Sequence, residues 1–94
     1  MENRRIIRRP EVLSKLGISS TTLDRKIDGG LVTKPVSLGA RSKGWPSNEI
    51  EVLITAIVAG CNDQETKHIV SRLHTQRRLL TEGITYTLEQ GEER

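Results

Sequence analysis

The apolar residues of this chain fall into short sets with different spacings, and the spacings predict the elements. Val12, Leu13 and Leu16 repeat at i, i+1 and i+4, which is one face of a helix. Pro10 suits a first helical turn, where its missing N–H costs nothing, and Gly17 can close the last turn in the left-handed conformation. A helix over residues 10–16 follows. Ser19 is then placed to cap a second helix over residues 20–28. Ile18 and Leu23 have the spacing of a hydrophobic staple, and Ile27 extends that line by one turn. With Leu23 and Ile27 inward, at roughly 100° per residue, Thr21 and Arg25 project outward, Thr22 and Asp28 flank them, and Lys26 lies at the margin. Two short helices joined by a tight glycine-containing turn make the helix-turn-helix pattern.

Gly29 and Gly30 stop the second helix, and Leu31 and Val32 can return to the core. Val36 and Leu38 then alternate with polar positions, residues 39–44 read as a basic loop of several residues, and Trp45 closes the segment, so a β-hairpin is predicted. Trp45 is the largest apolar side chain available and serves to anchor the hairpin to the helices. Ser47 is placed to cap a third helix, with Glu49 and Glu51 in its first turn, where the helix dipole favours acids. Ile50, Leu53, Ile54 and Ile57 form its buried stripe, and Gly60 ends it. Asn62 and Glu65 have capping-box spacing for a fourth helix carrying Ile69, Val70, Leu73 and Leu80. The third and fourth helices are expected to form an antiparallel hairpin bracing the first pair. Beyond Gly83, residues 84–88 alternate like a strand and lead into an acidic tail. The expected fold is mainly α with a small β-hairpin, a winged helix-turn-helix of about four helices. Residues 1–80 are expected to form this domain with its C-terminal helical hairpin, and residues 81–94 a tail that is either a short strand or mobile.

Length and charge narrow the function. At 94 residues, with no Phe, one Trp and one Tyr, the chain can bury one modest core and has little room for a catalytic cleft. Up to Pro46 there are ten Lys and Arg against four Asp and Glu; after it there are five against eight. A basic first half around a projecting helix is the electrostatic footprint of a polyanion binder. Arg8 and Arg9 belong to a basic N-terminal arm that also holds Arg4 and Arg5, and Ile6 or Ile7 can pin that arm to the core. Arg41, Ser42 and Lys43 place three donors suited to phosphate oxygens in the hairpin. The lone Cys61 excludes an intrachain disulfide and a cysteine zinc site and fits a reducing cytoplasm. No signal peptide is evident, and the apolar run of residues 50–59 is too short to span a bilayer. His68 and His74, six residues apart, do not share adjacent turns of one helix face, so no metal pair is expected. Residues 39–44 lack the order of a nucleotide-binding loop. Neither an enzyme nor a cofactor is indicated.

With these features in order, the chain resembles the AlpA-like family of phage and prophage regulators, winged-helix proteins related to the MerR and excisionase DNA-binding domains. The matching residues are Arg9-Pro10-Glu11-Val12, Gly17-Ile18-Ser19, Thr22 with Arg25, Pro35-Val36, Leu38-Gly39-Ala40-Arg41, and Trp45 with Glu49-Ile50. They run collinearly across residues 6–57. The chain departs from the family pattern at Asp24, where an aromatic is usual, and across residues 30–35, where Gly-x-Phe-Pro is usual.

The resemblance implies a sequence-specific binder of double-stranded DNA, of phage or mobile-element type, acting as an excisionase that sets the direction of recombination, as a transcriptional regulator, or as both. It places Ser20, Thr21, Thr22, Arg25 and Lys26 of the second helix at the major groove, with Lys26 on the backbone. Arg41, Ser42 and Lys43 of the wing, together with Arg8 and Arg9 of the arm, would then hold phosphates or the minor groove. It implies a bacterial cytoplasmic, nucleoid-associated protein, with an integrase and further copies of the chain on DNA as partners and no membrane. The alternative is a protein-interaction adaptor that recruits an integrase or polymerase through the fourth helix and the tail.

Overall fold

A computed structural model describes the backbone of residues 5–92 and the side chains of residues 5–79. The elements run β1 (Ile6–Ile7), α1 (Arg9–Leu16), α2 (Ser20–Asp28), β2 (Val36–Gly39), β3 (Ser42–Pro46), α3 (Ser47–Val58) and α4 (Asp63–Glu92). The helix-turn-helix forms as its local signals dictate. Gly17 sits at φ 68° and donates its N–H to Leu13, and the Ser19 hydroxyl accepts from the Thr22 N–H at 3.2 Å. This is a winged helix-turn-helix.

The strands form one antiparallel sheet in the order β1-β3-β2, with Ile7 opposite Trp45 and Val36 opposite Gly44. The N-terminal arm is therefore a third strand, two residues long, that completes the hairpin's outer edge. Gly44 makes the pairing possible. A Cβ there would stand 2.8 Å from the Ile7 carbonyl oxygen and 2.5 Å from Ile6 Cγ2. The core sits where the sheet meets the helices and consists of Ile7, Val12, Leu23, Val32, Trp45, Ile50, Leu53 and Val70. Trp45 is 1% exposed and its indole N–H donates to the Thr33 carbonyl at 2.8 Å, so the residue expected to anchor the hairpin does so.

Four expectations are corrected. The hairpin turns tightly at Ala40 and Arg41, and Ser42, Lys43 and Gly44 lie within β3. A bulge between Ser37 and Gly39, with positive φ at Gly39 and Ala40, supplies the sharp reversal. Ser47 does not cap α3. Pro46, extended at φ −62°, is the cap residue, while the Ser47 hydroxyl accepts the Arg5 N–H at 3.0 Å and its own N–H donates back to the Arg5 carbonyl at 2.7 Å. Ile57 is 62% exposed, and Ala56 fills the last buried position of α3. Residues 84–88 are helical, because α4 runs through Gly83 to Glu92. An isolated five-residue strand leaves its backbone groups without partners, whereas a helix pairs them within itself.

The Asn62–Glu65 capping box closes reciprocally at 2.9 and 2.8 Å. Val70 and Leu73 are buried as expected. The side chain of Leu80, the arm residue Arg4 and the end of the acidic tail lie outside the described residues. Among the described residues, no helix is long and apolar enough to cross a membrane.

Candidate nucleic-acid interface

The outer face of α2 follows from its buried one. Leu23 is fully buried and Ile27 packs against the core, which leaves Thr21, Asp24, Arg25 and Asp28 exposed and Thr22 half-buried. The Ser19 hydroxyl donates to Thr22 Oγ1 at 3.0 Å. Thr22 is thereby oriented within the cap and Thr21 is left on the open surface. Lys26 is placed differently from its neighbours. It lines a small apolar cavity with Leu16, Ile18, Leu53 and Cys61, on the side of α2 that faces α3 and the start of α4.

Arg9 connects the arm to α2 and to the sheet. Its Nη1 donates to Ser20 Oγ at 2.9 Å and its Nη2 to Asp24 Oδ1 at 3.0 Å, while the guanidinium carbon lies 5.8 Å from the centroid of the Trp45 ring. A planar guanidinium can do all three because its donors fork in one plane and its face is free to lie on the indole. Asp24, the departure from the family pattern, is thus the carboxylate that orients Arg9. Ser20 acts as a second acceptor for the same side chain.

Beside this junction the arm and wing enclose an open cleft of about 400 Å³, lined by Arg8, Arg9, Arg41, Ser42, Lys43 and Trp45. Residues more than thirty positions apart in sequence meet here because β1 pairs with β3. The fold therefore brings together five of the expected contact residues: Arg8, Arg9, Arg41, Ser42 and Lys43. Ser20 joins them through Arg9. Arg5 is set apart from the cleft, since its guanidinium forks onto Glu11 at 2.5 and 3.3 Å. That hydrogen bond holds the Glu11 carboxyl below the usual range. Both groups are solvated, so the pair is a weak tether for the arm. With Arg9 turned to Asp24 and Ser20, the cleft offers the guanidinium groups of Arg8 and Arg41 and the Lys43 ammonium, with no acid among its described lining residues, an arrangement suited to phosphate oxygens.

Sequence reasoning missed a strap behind the wing. Arg77 of α4 donates to both Glu49 oxygens at 2.7 and 2.6 Å and to the Lys34 carbonyl at 2.8 Å. His74 Nε2 accepts the Lys34 N–H at 3.1 Å. Together they fix the segment that leads from α2 into β2. Burial, with the neighbouring charge of Arg77, holds the His74 imidazole below its ordinary pKa of 6.5. The available signal was the pair of basic residues three apart on one face of α4, which the sequence alone reads as a solvated face.

A helix-turn-helix, a two-strand wing and a basic cleft between wing and arm define a winged-helix protein. The family model of the prophage CP4-57 regulatory protein (AlpA) matches residues 5–55. The chain therefore belongs to the AlpA family, whose members are phage-type regulatory DNA-binding proteins. The match covers β1 through most of α3 and stops before the strap on α4. No curated protein and no solved structure matches the chain.

Proposed function

We propose that this protein binds double-stranded DNA sequence-specifically and without catalysis, with α2 in the major groove and the arm and wing on the flanking backbone. The observation that carries the proposal is the cleft that joins Arg8 and Arg9 to Arg41, Ser42 and Lys43 beside the exposed face of α2. Thr21, Thr22 and Arg25 are the base-reading residues in this proposal. Arg25 facing a guanine would contribute about 1–3 kcal/mol of discrimination. Arg41 and Lys43 hold phosphates, which give affinity without sequence information. Ser20 acts through Arg9, and Lys26 contributes its charge from the edge of the helix. The biological outcome is excision of a mobile element, transcriptional control, or both, and an integrase is the partner that excision requires.

Selection of bound duplexes from a random pool tests this reading. The wild-type chain is expected to enrich a defined site. Arg25→Ala should then lower affinity for that site roughly tenfold or more relative to random duplex, as 1.4 kcal/mol per decade implies. A ratio of specific to non-specific affinity that Arg25→Ala leaves unchanged removes α2 as the reading helix.

A second reading, an adaptor for an integrase or polymerase, draws on the apolar side chains exposed on α3 and α4. Val58 is 81% exposed and Leu79 59%. It is compatible with DNA binding, and as the sole function it predicts no association with duplex DNA even at low salt.

A further inference from the structure

A second basic cleft lies away from the wing, where α4 passes the C-terminal turn of α2. It measures about 390 Å³ and is lined by Gly30, Lys67, Ser71, His74, Thr75 and Arg78. Lys67, Ser71, His74 and Arg78 follow one another at intervals of four, three and four residues, and Thr75 stands four after Ser71, so they share one helix face. Of the basic residues on α4, the fold selects Lys67 and Arg78 for this cleft. Arg77 is turned to Glu49, and His68 and Arg72 do not line it.

The cleft has the attributes of an anion site. The Lys67 stem lies over Gly30, whose added Cβ would stand 3.7 Å from Lys67 Cγ. Ser71 and Thr75 supply hydroxyl donors between the two cations, and no carboxylate is among the described residues that line the space. His74 accepts the Lys34 N–H through Nε2, so its neutral ring carries the proton on Nδ1. The groups acting on that ring are Arg77, Glu49 and Lys34, and burial with the two cations outweighs the opposing pull of Glu49. The described lining of the cleft is positive, and the opposing charge on the ring, Glu49, is itself held by Arg77.

We propose that Lys67, Ser71 and Arg78 of α4 form a second phosphate-contact site at the C-terminal end of α2, which takes two backbone phosphates of the same duplex that α2 reads. The proposal rests on the DNA-binding reading above and extends the contact surface to a helix beyond the family match. Phosphates bound at both ends of α2 would fix its angle in the groove, since backbone contacts set register and orientation.

Salt dependence of duplex binding tests it, with the intact chain, the double variant K67Q/R78Q, and R72Q as a control of equal charge type on the same helix outside the cleft. Losing two phosphate contacts should reduce the slope of log K against log salt by about 1.8. Affinity for selected and random duplexes should fall by the same factor. R72Q should leave the slope unchanged. In the wild type, duplex should raise the pKa of His74 followed by NMR, because a bound anion offsets the cations around it.

A double variant that keeps the wild-type slope, or matches R72Q, overturns the proposal and leaves the DNA-binding reading intact. A wild-type chain that binds no duplex overturns both. A His74 shift with inorganic phosphate and none with duplex identifies a small-anion site and also overturns it. Among the described residues Lys67 and Arg78 make no ion pair, and a thermal melt of K67Q/R78Q matching the wild type shows that the fold persists.

Discussion

Arg77 and Glu49 meet through two charge-assisted hydrogen bonds, Nε to Oε2 at 2.7 Å and Nη2 to Oε1 at 2.6 Å, with the Glu49 side chain only 4% exposed. The pair joins α4 to the first turn of α3. Through the further bond from Arg77 to the Lys34 carbonyl, it also joins both to the base of the wing. A buried carboxylate is tolerated only while its partner is present, so removing the arginine leaves an uncompensated charge.

Arg77→Ala is therefore expected to destabilise the fold by about 3 kcal/mol, the scale of breaking a buried pair. Urea unfolding followed by far-UV circular dichroism measures it. A loss below about 1 kcal/mol would place this bridge among ordinary surface pairs.

Gly44 carries the second prediction. Ile6 Cγ2 and the Ile7 carbonyl leave no room for a Cβ at this position, and Leu38 Cδ1 crowds it at 3.3 Å. Gly44→Ala should displace β1 from β3 and cost about 1–3 kcal/mol, the range for overpacking. Because β1 carries the arm to the wing, the variant should also weaken duplex binding at a temperature where it remains folded. A melting temperature equal to the wild type would contradict the tight pairing.

His74 sets a pH dependence. Its pKa is lower in the fold than the ordinary 6.5, so the unfolded chain binds its proton first as pH falls. The stability this group contributes is complete above the unfolded value and is lost as pH drops through the depressed folded value. Protonation would also remove the acceptor for the Lys34 N–H. Melting temperature should decline between neutral pH and the mildly acidic range, ahead of the carboxylates. The decline should flatten in His74→Gln, and equal declines in both proteins would show that another group is responsible.

How much of this was legible in the sequence depends on the range of the interactions. The helix-turn-helix was readable because its cues are local: Gly17, Ser19 and the Leu23–Ile27 spacing act within a few residues. The Asn62–Glu65 box was readable for the same reason. Glu49 read only as an acid favoured by the dipole of α3, because the arginine that buries it lies 28 residues away. Two residues of β1 make too short a pattern to recognise, and the arm and wing met only once their pairing was known. The Arg9–Asp24 bond depends on the angle between α1 and α2, which residue spacing does not encode. Ile57 shared the period of the buried stripe, but a period does not tell where the core ends. Residues 84–88 alternated over too few positions to outweigh continuation of α4.

The central claim is that arm, α2 and wing form one DNA-binding face. Backbone amide NMR of the chain, recorded with increasing amounts of a short duplex carrying the selected site, tests it most directly. The largest shifts are expected on Arg8, Arg9, Thr21, Arg25, Arg41 and Lys43, while the exposed face of α3 around Val52 and Glu51 stays unmoved. Shifts confined to α3, or none at low salt, would contradict it.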